Sequence, residues 1–358
     1  MGSSTDLRVL ASPLSLPAQP YVERLNAALR DAGVEVDGYS STAVAGGRYA
    51  VWHLHWPELF LNEPGSSLRA LVTGSRLLVA VARARRRGVA VVWTVHNLAA
   101  HDRFHPRLEA AFWRTFTPMV DGTIALSESG RTAALERFPP LRRRPSAVVP
   151  LGHYRGAHPA TVEREEARGR LGIEPGTGVI GFFGLVRRYK GVPELIRAFR
   201  ALPADDLVLD VAGPPRTPEL ADEVRRAADG DPRVHLRLEL VPDDEVQLHL
   251  AAADLVALPY TSVQNSSAAL LALSFDRPVL ARDLGALAEL RSAVGADWVR
   301  LFDGPLTPGE LAEALAWARS GARTPTAPLG AFSWPEIADR TVAAYRAALS
   351  DRRAPVPG

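Results

Sequence analysis

A chain of 358 residues is about twice the length of a typical domain, so two domains are expected; 47% hydrophobic and 23% charged residues exclude disordered and fibrous classes. It has no cysteine, which rules out thiol nucleophiles, Cys-ligated zinc, iron–sulfur clusters and disulfides. Lysine plus arginine number 42 against 40 for aspartate plus glutamate, a formal +2, and this balance argues against a nucleic-acid partner.

In chain order, short β-branched runs alternate with amphipathic helical patterns. Strands are expected at Leu7–Leu10, Val34–Tyr39, Ala50–Leu54, Val89–Val95, Gly122–Ala125 and Ala147–Val149. Between them the spacing predicts helices over Pro20–Ala32, Ser67–Arg87, Pro106–Phe116 and Glu128–Phe138. A charged, Gly- and Pro-bearing stretch over 152–177 reads as a connection carrying one short helix. The series then restarts, with strands at Val179–Phe183, Leu207–Val211, Val234–Leu238, Leu255–Leu258, Pro278–Ala281 and Trp298–Phe302. Its helices are expected over Val192–Ala201, Pro218–Ala228, Asp243–Ala253, Ser266–Ser274 and Pro308–Arg319, and a last one over Pro335–Ser350. Such alternation predicts an α/β protein of two doubly wound, Rossmann-like domains facing across a cleft. The expected domains are 1–155 and 156–333, with 334–358 as a helix returning towards the first.

No apolar stretch reaches the roughly 18 residues of a membrane span. The opening residues lack the basic and apolar parts of a secretory signal, so a cytoplasmic location is expected. The basic runs Arg83, Arg85, Arg86, Arg87 and Arg142, Arg143, Arg144 read as solvated faces, with peripheral association at an anionic membrane surface left open.

The segment GVIGFFGLVRRYKGVPELIRAF carries the strongest chemical signal. A buried strand ends at Gly184, a basic loop follows, and Lys190, the sole lysine, stands with Gly191 at the start of a helix. Arg187, Arg188 and Lys190 thereby collect cations at a helix N-terminus, which already favours an anion through its free N–H groups and dipole. A diphosphate fits that description; three solvated surface cations are the alternative. Further on, Asn265 is placed to cap a helix beginning at Ser266, and Ser266 with Ser267 leaves a second N-terminus accessible to the same diphosphate.

Histidines gather in the first half. HLHWPE sets His53 and His55 at alternate positions, facing one side, with Trp56 pointing the other way and Glu58 nearby. TVHNLAAHDRFH places His96 at the end of a strand and His101, Asp102 and His105 on the loop beyond. Zinc is disfavoured, because no HExxH pattern or closed ligand spacing occurs. A GxSxG serine elbow and a Gly-rich dinucleotide fingerprint are also missing.

Together these segments resemble the GT-B-fold retaining glycosyltransferases of family 4 and its close relatives, the group 1 glycosyltransferases. The strand–Gly–basic loop–Lys-Gly segment and the block ending LALSFDRPVLA carry the resemblance, supported by HLHWPE, TVHN and VPLGHY. Two departures stand out. Leu185 occupies the place of the family's Arg after the Gly, and Val263 and Leu271 stand where the family has its pair of Glu residues.

The resemblance implies transfer of a hexose from a nucleotide-diphosphate donor (UDP-, GDP- or dTDP-linked) to a hydroxyl acceptor, with retention, without metal and without a cofactor. It implies that Gly184, Arg187, Arg188, Lys190 and Gly191 grip the diphosphate. Gln264, Asn265, Ser266 and Ser267 would take over the ribose and sugar contacts. His96 is implied at the donor sugar, with Lys190 and Arg188 stabilising the leaving phosphate. Trp56, Asn97, His101, Asp102 and His153 are expected on the acceptor side. Two other readings stay open: a non-catalytic nucleotide-sugar-binding partner subunit, and a nucleotide-sugar 2-epimerase.

Overall fold

The computed structural model describes residues 7–15, 20–40, 42, 48–61, 66–98, 104–204, 206–263 and 265–353. It divides into two units, one formed by Met1–Gly152 with Phe332–Gly358 and the other by His153–Ala331.

In the first unit the strands are β1 (Arg8–Ser12), β2 (Glu35–Gly38), β3 (Val51–Leu54), β4 (Ala90–Val95), β5 (Gly122–Ala125) and β6 (Ser146–Val148). They form one parallel sheet in the order β2-β1-β3-β4-β5-β6. Its helices are α1 (Pro20–Asp31), α2 (Ser67–Arg86), α3 (Pro106–Phe116), α4 (Glu128–Arg137) and α12 (Trp334–Arg353). Strands β3, β4 and β5 are buried along their whole length, as expected of a parallel sheet covered on both faces. The core beneath α2 and α3 stacks Trp93 on Trp113 at 4.9 Å between centroids and sets Phe116 edge-on to Trp93.

The last helix, α12, packs on α1, β4 and β5. Gly122 is needed there, since a Cβ on it would fall 2.8 Å from Cβ of Ala348. A buried carboxylate fastens the helix end. Asp121 accepts from Arg352 Nη1 at 2.8 Å, from Arg85 Nη2 at 2.9 Å and from the Val91 amide at 2.9 Å. The full pairing offsets the cost of taking that charge out of water.

The second unit contains β7 (Gly178–Phe183), β8 (Leu207–Ala212), β9 (Val234–Arg237), β10 (Leu255–Leu258), β11 (Val279–Arg282) and β12 (Val299–Phe302). These are also all parallel, in the order β12-β11-β10-β7-β8-β9. The helices are α5 (Arg164–Arg170), α6 (Val192–Arg200), α7 (Pro218–Ala228), α8 (Val246–Ala252), α9 (Ser267–Ser274), α10 (Gly285–Val294) and α11 (Pro308–Arg319). Helix α6 buries Val192, Leu195, Ile196 and Phe199, spaced to share one face. Asp254 binds Arg168 at 3.0 Å and the Val179 amide at 2.8 Å, tying α5 to the first strand of its sheet.

Expected and observed strands agree to within a residue or two. The helices needed two corrections. Helix α8 starts at Val246 rather than Asp243. Helix α10 was not expected: it opens on Gly285 with no side-chain cap at Leu284, so only its end, at Gly295 with Arg291 in the last turn, is signalled in the sequence.

Both sheets reverse their strand order beside their first strand, and ligands of open α/β sheets bind outside the carboxyl ends at such a point. In the second sheet this sets the loops after β7 and β10 side by side. In the first it gathers the loops after β1, β3 and β4.

Candidate active site

In the second unit, β7 ends at Gly184 and the chain turns through Leu185–Arg187 into a short 3-10 turn, Arg188–Lys190. Gly184 has φ 117° and Gly191 has φ 65°, conformations that L side chains rarely adopt. Gly191 is doubly constrained, because a Cβ there would lie 2.5 Å from the Pro259 carbonyl oxygen. This close approach fixes the turn against the loop after β10. The Thr261 amide completes the clamp by donating to the Tyr189 carbonyl at 2.7 Å.

The turn delivers Lys190 to the strand end. Its Nζ sits 3.6 Å from the position a Cβ of Gly184 would occupy, 5.8 Å from the Phe182 ring centroid and 5.6 Å from that of Tyr260. Desolvation, and secondarily the charge of Arg187, lowers the Lys190 pKa to about 8. A cation held at such a cost is poised to gain from an anion.

The two arginines of the loop differ. Arg188 is largely exposed and its guanidinium pairs with Glu223 on α7 at 2.5 Å, whereas Arg187 is the one whose charge bears on Lys190. Helix α6 follows with Gly191 at its N-cap and Pro193 in its first turn, so its leading N–H groups carry no side-chain cap.

Across the switch point, the cap of α9 is Ser266 rather than Asn265, and the helix starts at Ser267. Ser266 Oγ accepts from the Ala269 amide at 3.1 Å. Ser266 also bonds to buried Tyr260, whose pKa burial drives up. Asn265 and Ser267 flank the cap, half-buried and exposed respectively. Gln264 lies outside the described residues. His153 opens this unit, and the next amide, of Tyr154, donates to Ser274 Oγ at the far end of α9 at 2.8 Å.

In the first unit, three imidazoles meet at the carboxyl ends of β3 and β4. His53 lies within β3 and pairs with Thr94 Oγ1 at 2.6 Å and with the Tyr345 hydroxyl of α12 at 2.8 Å. His55 Nδ1 faces His96 Nε2 at 3.0 Å, so one ring donates and the other accepts. Desolvation lowers the pKa of His53 and of His96 to about 3 and that of His55 well below its usual value, with the neighbouring imidazoles adding to the effect at His55 and His96. All three rings are neutral at physiological pH.

Trp56 does not point away as the alternation implied. It leaves the strand and stacks on His96 at 4.1 Å between centroids, while Tyr21 meets His96 edge-on at 5.6 Å.

One residue gains importance from the structure. Glu58, in the turn Pro57–Phe60 after β3, is buried. Desolvation raises its pKa to about 7, and a hydrogen bond from Asn97 only partly opposes this. A carboxyl balanced near neutrality beside a sheet's carboxyl edge is suited to take or give a proton. The sequence signal was its place in HLHWPE, which carries no information about burial. His101 and Asp102 lie outside the described residues. Among the described residues no group of three or more His, Asp or Glu side chains is arranged to hold a metal ion.

The model of the family described as "Glycosyl transferases group 1" matches residues 177–319, the part of the chain that contains the Gly184–Gly191 turn and the α9 cap. The chain is 32% identical over 333 residues to the GDP-mannose:glycolipid 4-beta-D-mannosyltransferase of Xanthomonas campestris pv. campestris, covering 92% of this chain and 88% of that one. This chain is a group 1 glycosyltransferase. Group 1 membership makes it an enzyme of the hexosyltransferase class, acting on a nucleotide-sugar donor. It is also 26% identical to the alpha-maltose-1-phosphate synthase of Mycolicibacterium smegmatis, over 72% of this chain and 73% of that one. The fold matches that of sucrose-phosphate synthase from Thermosynechococcus elongatus, with a TM-score of 0.62, 18% identity and 97% of each chain covered. Anabaena HepE in complex with UDP and glucose gives the same TM-score of 0.62, at 16% identity and with 97% of each chain covered. The expected GT-B architecture is thereby established for this glycosyltransferase.

Proposed function

We propose that this glycosyltransferase transfers a mannosyl group from a GDP-linked donor to a hydroxyl of a glycolipid, without a metal ion. The observation that carries the reading is the 32% identity spread over 92% of the chain to enzymes named for that donor and acceptor class. The half-buried Lys190 supports it: with Arg187 and the uncapped N-terminus of α6, it supplies the positive charge that a departing diphosphate requires. Gly184 and Gly191 let the backbone approach the phosphates, and Asn265, Ser266 and Ser267 serve the nucleoside and sugar, a role to which the sequence also assigns Gln264. Arg188 joins this set only by leaving Glu223, so Arg187 is the better second cation. His96, neutral and stacked on Trp56, contacts the sugar by hydrogen bonding; Asn97, His101, Asp102 and His153 serve the acceptor.

Two stereochemical courses follow from different observations. Resemblance to family 4 implies retention, in which the leaving diphosphate takes the acceptor proton and the protein supplies no base. Glu58 is the candidate base of an inverting reaction, since a buried carboxyl with its pKa raised to about 7 can accept the acceptor's proton. The β linkage in the relatives' name points the same way, since the mannose of GDP-mannose is α-linked. In the inverting reaction the acceptor O–H gives its proton to Glu58. The acceptor oxygen bonds to C1 from the face opposite the diphosphate, and the C1–O bond breaks as GDP leaves.

Incubation with GDP-mannose and a lipid-linked saccharide, followed by the one-bond C–H coupling of the new anomeric centre, tests both levels. A β-mannoside supports donor, acceptor and inversion together. An α-mannoside restores retention. Absence of GDP release with every acceptor would favour the non-catalytic binding-subunit reading. Activity unchanged by EDTA is expected, and loss rescued by Mg²⁺ would overturn the metal-independent mechanism.

A further inference from the structure

With two exceptions, Leu14 and Leu240, every exposed large hydrophobic side chain among the described residues lies between Leu59 and Phe104. Leu68, Leu71, Val72 and Val79 stand on the outward side of α2, opposite the Leu77, Val81 and Ala84 that this helix buries in the core. Leu68, Val72 and Val79 are spaced to share one stripe, and Arg76, Arg83 and Arg86 continue along it towards the helix end.

Two neighbouring segments extend the apolar end of the stripe. The turn bearing exposed Leu59 and Phe60 is bound to α2 through the Thr73 hydroxyl, which donates to the Phe60 carbonyl. Exposed Phe104 adjoins His105, whose Nδ1 lies 3.2 Å from Ser67 Oγ at the start of α2.

Charge is as one-sided as hydrophobicity. Arg69, Arg76, Arg83, Arg86 and Arg87 are exposed on or just beyond α2, and the described residues 66–88 contain no acidic side chain. On α3, Arg107 and Arg114 are exposed while the single carboxylate, Glu109, is buried. Single exposed hydrophobics are ordinary on a protein surface, but a contiguous apolar set bordered by a run of exposed arginines is not.

We propose that the outward face of α2, with the Pro57–Phe60 turn and Phe104, docks this enzyme on the surface of an anionic lipid bilayer. The apolar residues enter the headgroup boundary and the arginines meet the lipid phosphates, the arrangement of an interfacial helix. Asp121 holds Arg85 inwards at 2.9 Å, so the helix stays seated on its own core while its outer face is presented. The inference rests on the proposed glycolipid acceptor only for its biological purpose. The surface itself is argued from α2.

The test is co-sedimentation of the full chain with vesicles of phosphatidylcholine, with and without phosphatidylglycerol, at low and high salt. GDP binding is measured in the same preparations. Binding to the phosphatidylglycerol vesicles, weakened by salt, is expected. The triple variant Leu68→Glu/Val72→Glu/Val79→Glu should reduce it about tenfold or more, while Leu240→Glu leaves it intact. All four positions are exposed, so the variants should keep the wild-type melting temperature and GDP affinity. Equal, salt-insensitive binding to neutral vesicles would overturn the role of the arginines. Failure to bind any vesicle would overturn the proposal. A concentration-dependent dimer abolished by the triple variant would assign the face to a second copy of this chain instead. GDP binding without vesicle binding would sink the docking surface and leave the donor reading standing. Vesicle binding without GDP binding would do the reverse.

Discussion

Lys190 reaches back over Gly184, its Nζ lying 3.6 Å from where a Cβ on that glycine would stand. At that distance a Cβ would be in ordinary contact, so it is the backbone φ of 117° that calls for glycine beneath the Lys190 ammonium. Because desolvation has brought its pKa down to about 8, a bound diphosphate should raise that pKa and draw in a proton. GDP affinity should consequently fall as pH rises through about 8. Calorimetry in buffers of different ionisation enthalpy should register proton uptake at that pH. Lys190→Ala should weaken GDP binding by roughly 10- to 100-fold, the range for losing a charge-assisted hydrogen bond. Equal affinity of variant and wild type would remove Lys190 from the site.

Glu58→Gln separates the two stereochemical courses. As the base of an inverting transfer, Glu58 should be worth about 10²- to 10⁴-fold in kcat with little change in GDP affinity. Full activity of the variant would return the enzyme to the retaining reading.

The same variant carries a stability signature. A carboxyl whose pKa is raised in the folded state contributes stability that is present below its unfolded pKa and lost as pH rises through about 7. The shift corresponds to a contribution on the order of 3 kcal/mol. Relative to wild type, Glu58→Gln should gain melting temperature between pH 5 and pH 8. A constant difference across that window would mean that Glu58 is ionised throughout.

The buried histidines act in the opposite sense. Their folded pKa values lie below that of a free imidazole, so the stability they contribute is present above about pH 6.5 and lost as pH falls. Thermal unfolding should show the melting temperature declining below pH 6.5. Tyr345→Phe should cost about 1 to 2 kcal/mol, since it leaves buried His53 Nδ1 without its 2.8 Å partner. A melting temperature equal to wild type would show that the pairing contributes nothing.

Gly191→Ala should destabilise the second unit by about 2 kcal/mol or more, combining a left-handed backbone with a Cβ placed 2.5 Å from the Pro259 carbonyl. For a domain of this size the melting temperature would drop by roughly 4 to 8 °C. GDP binding would weaken as well, because the same contact aims Lys190. A variant with wild-type stability and affinity would show that the turn is not constrained as described.

How much was legible in the sequence follows from which interactions are local. Strand and helix periodicity depends on neighbours one to four residues away, so the alternating α/β plan and both sets of six strands could be read directly. The Gly184-to-Gly191 segment was equally plain, since glycine, cation and strand end occur within eight residues. Other assignments depended on partners remote in the chain. Glu223 on α7 engages Arg188, and Arg187 is the arginine whose charge bears on Lys190. Trp56 stacks on His96, 40 residues later, instead of following the strand's alternation. Glu58 owes its pKa to burial that no spacing encodes, and the outward apolar face of α2 emerges only once its other side is packed. Composition and period thus determine which elements form. Only tertiary structure decides which of several chemically similar side chains is desolvated or paired, because desolvation and pairing depend on atoms brought together from distant parts of the sequence.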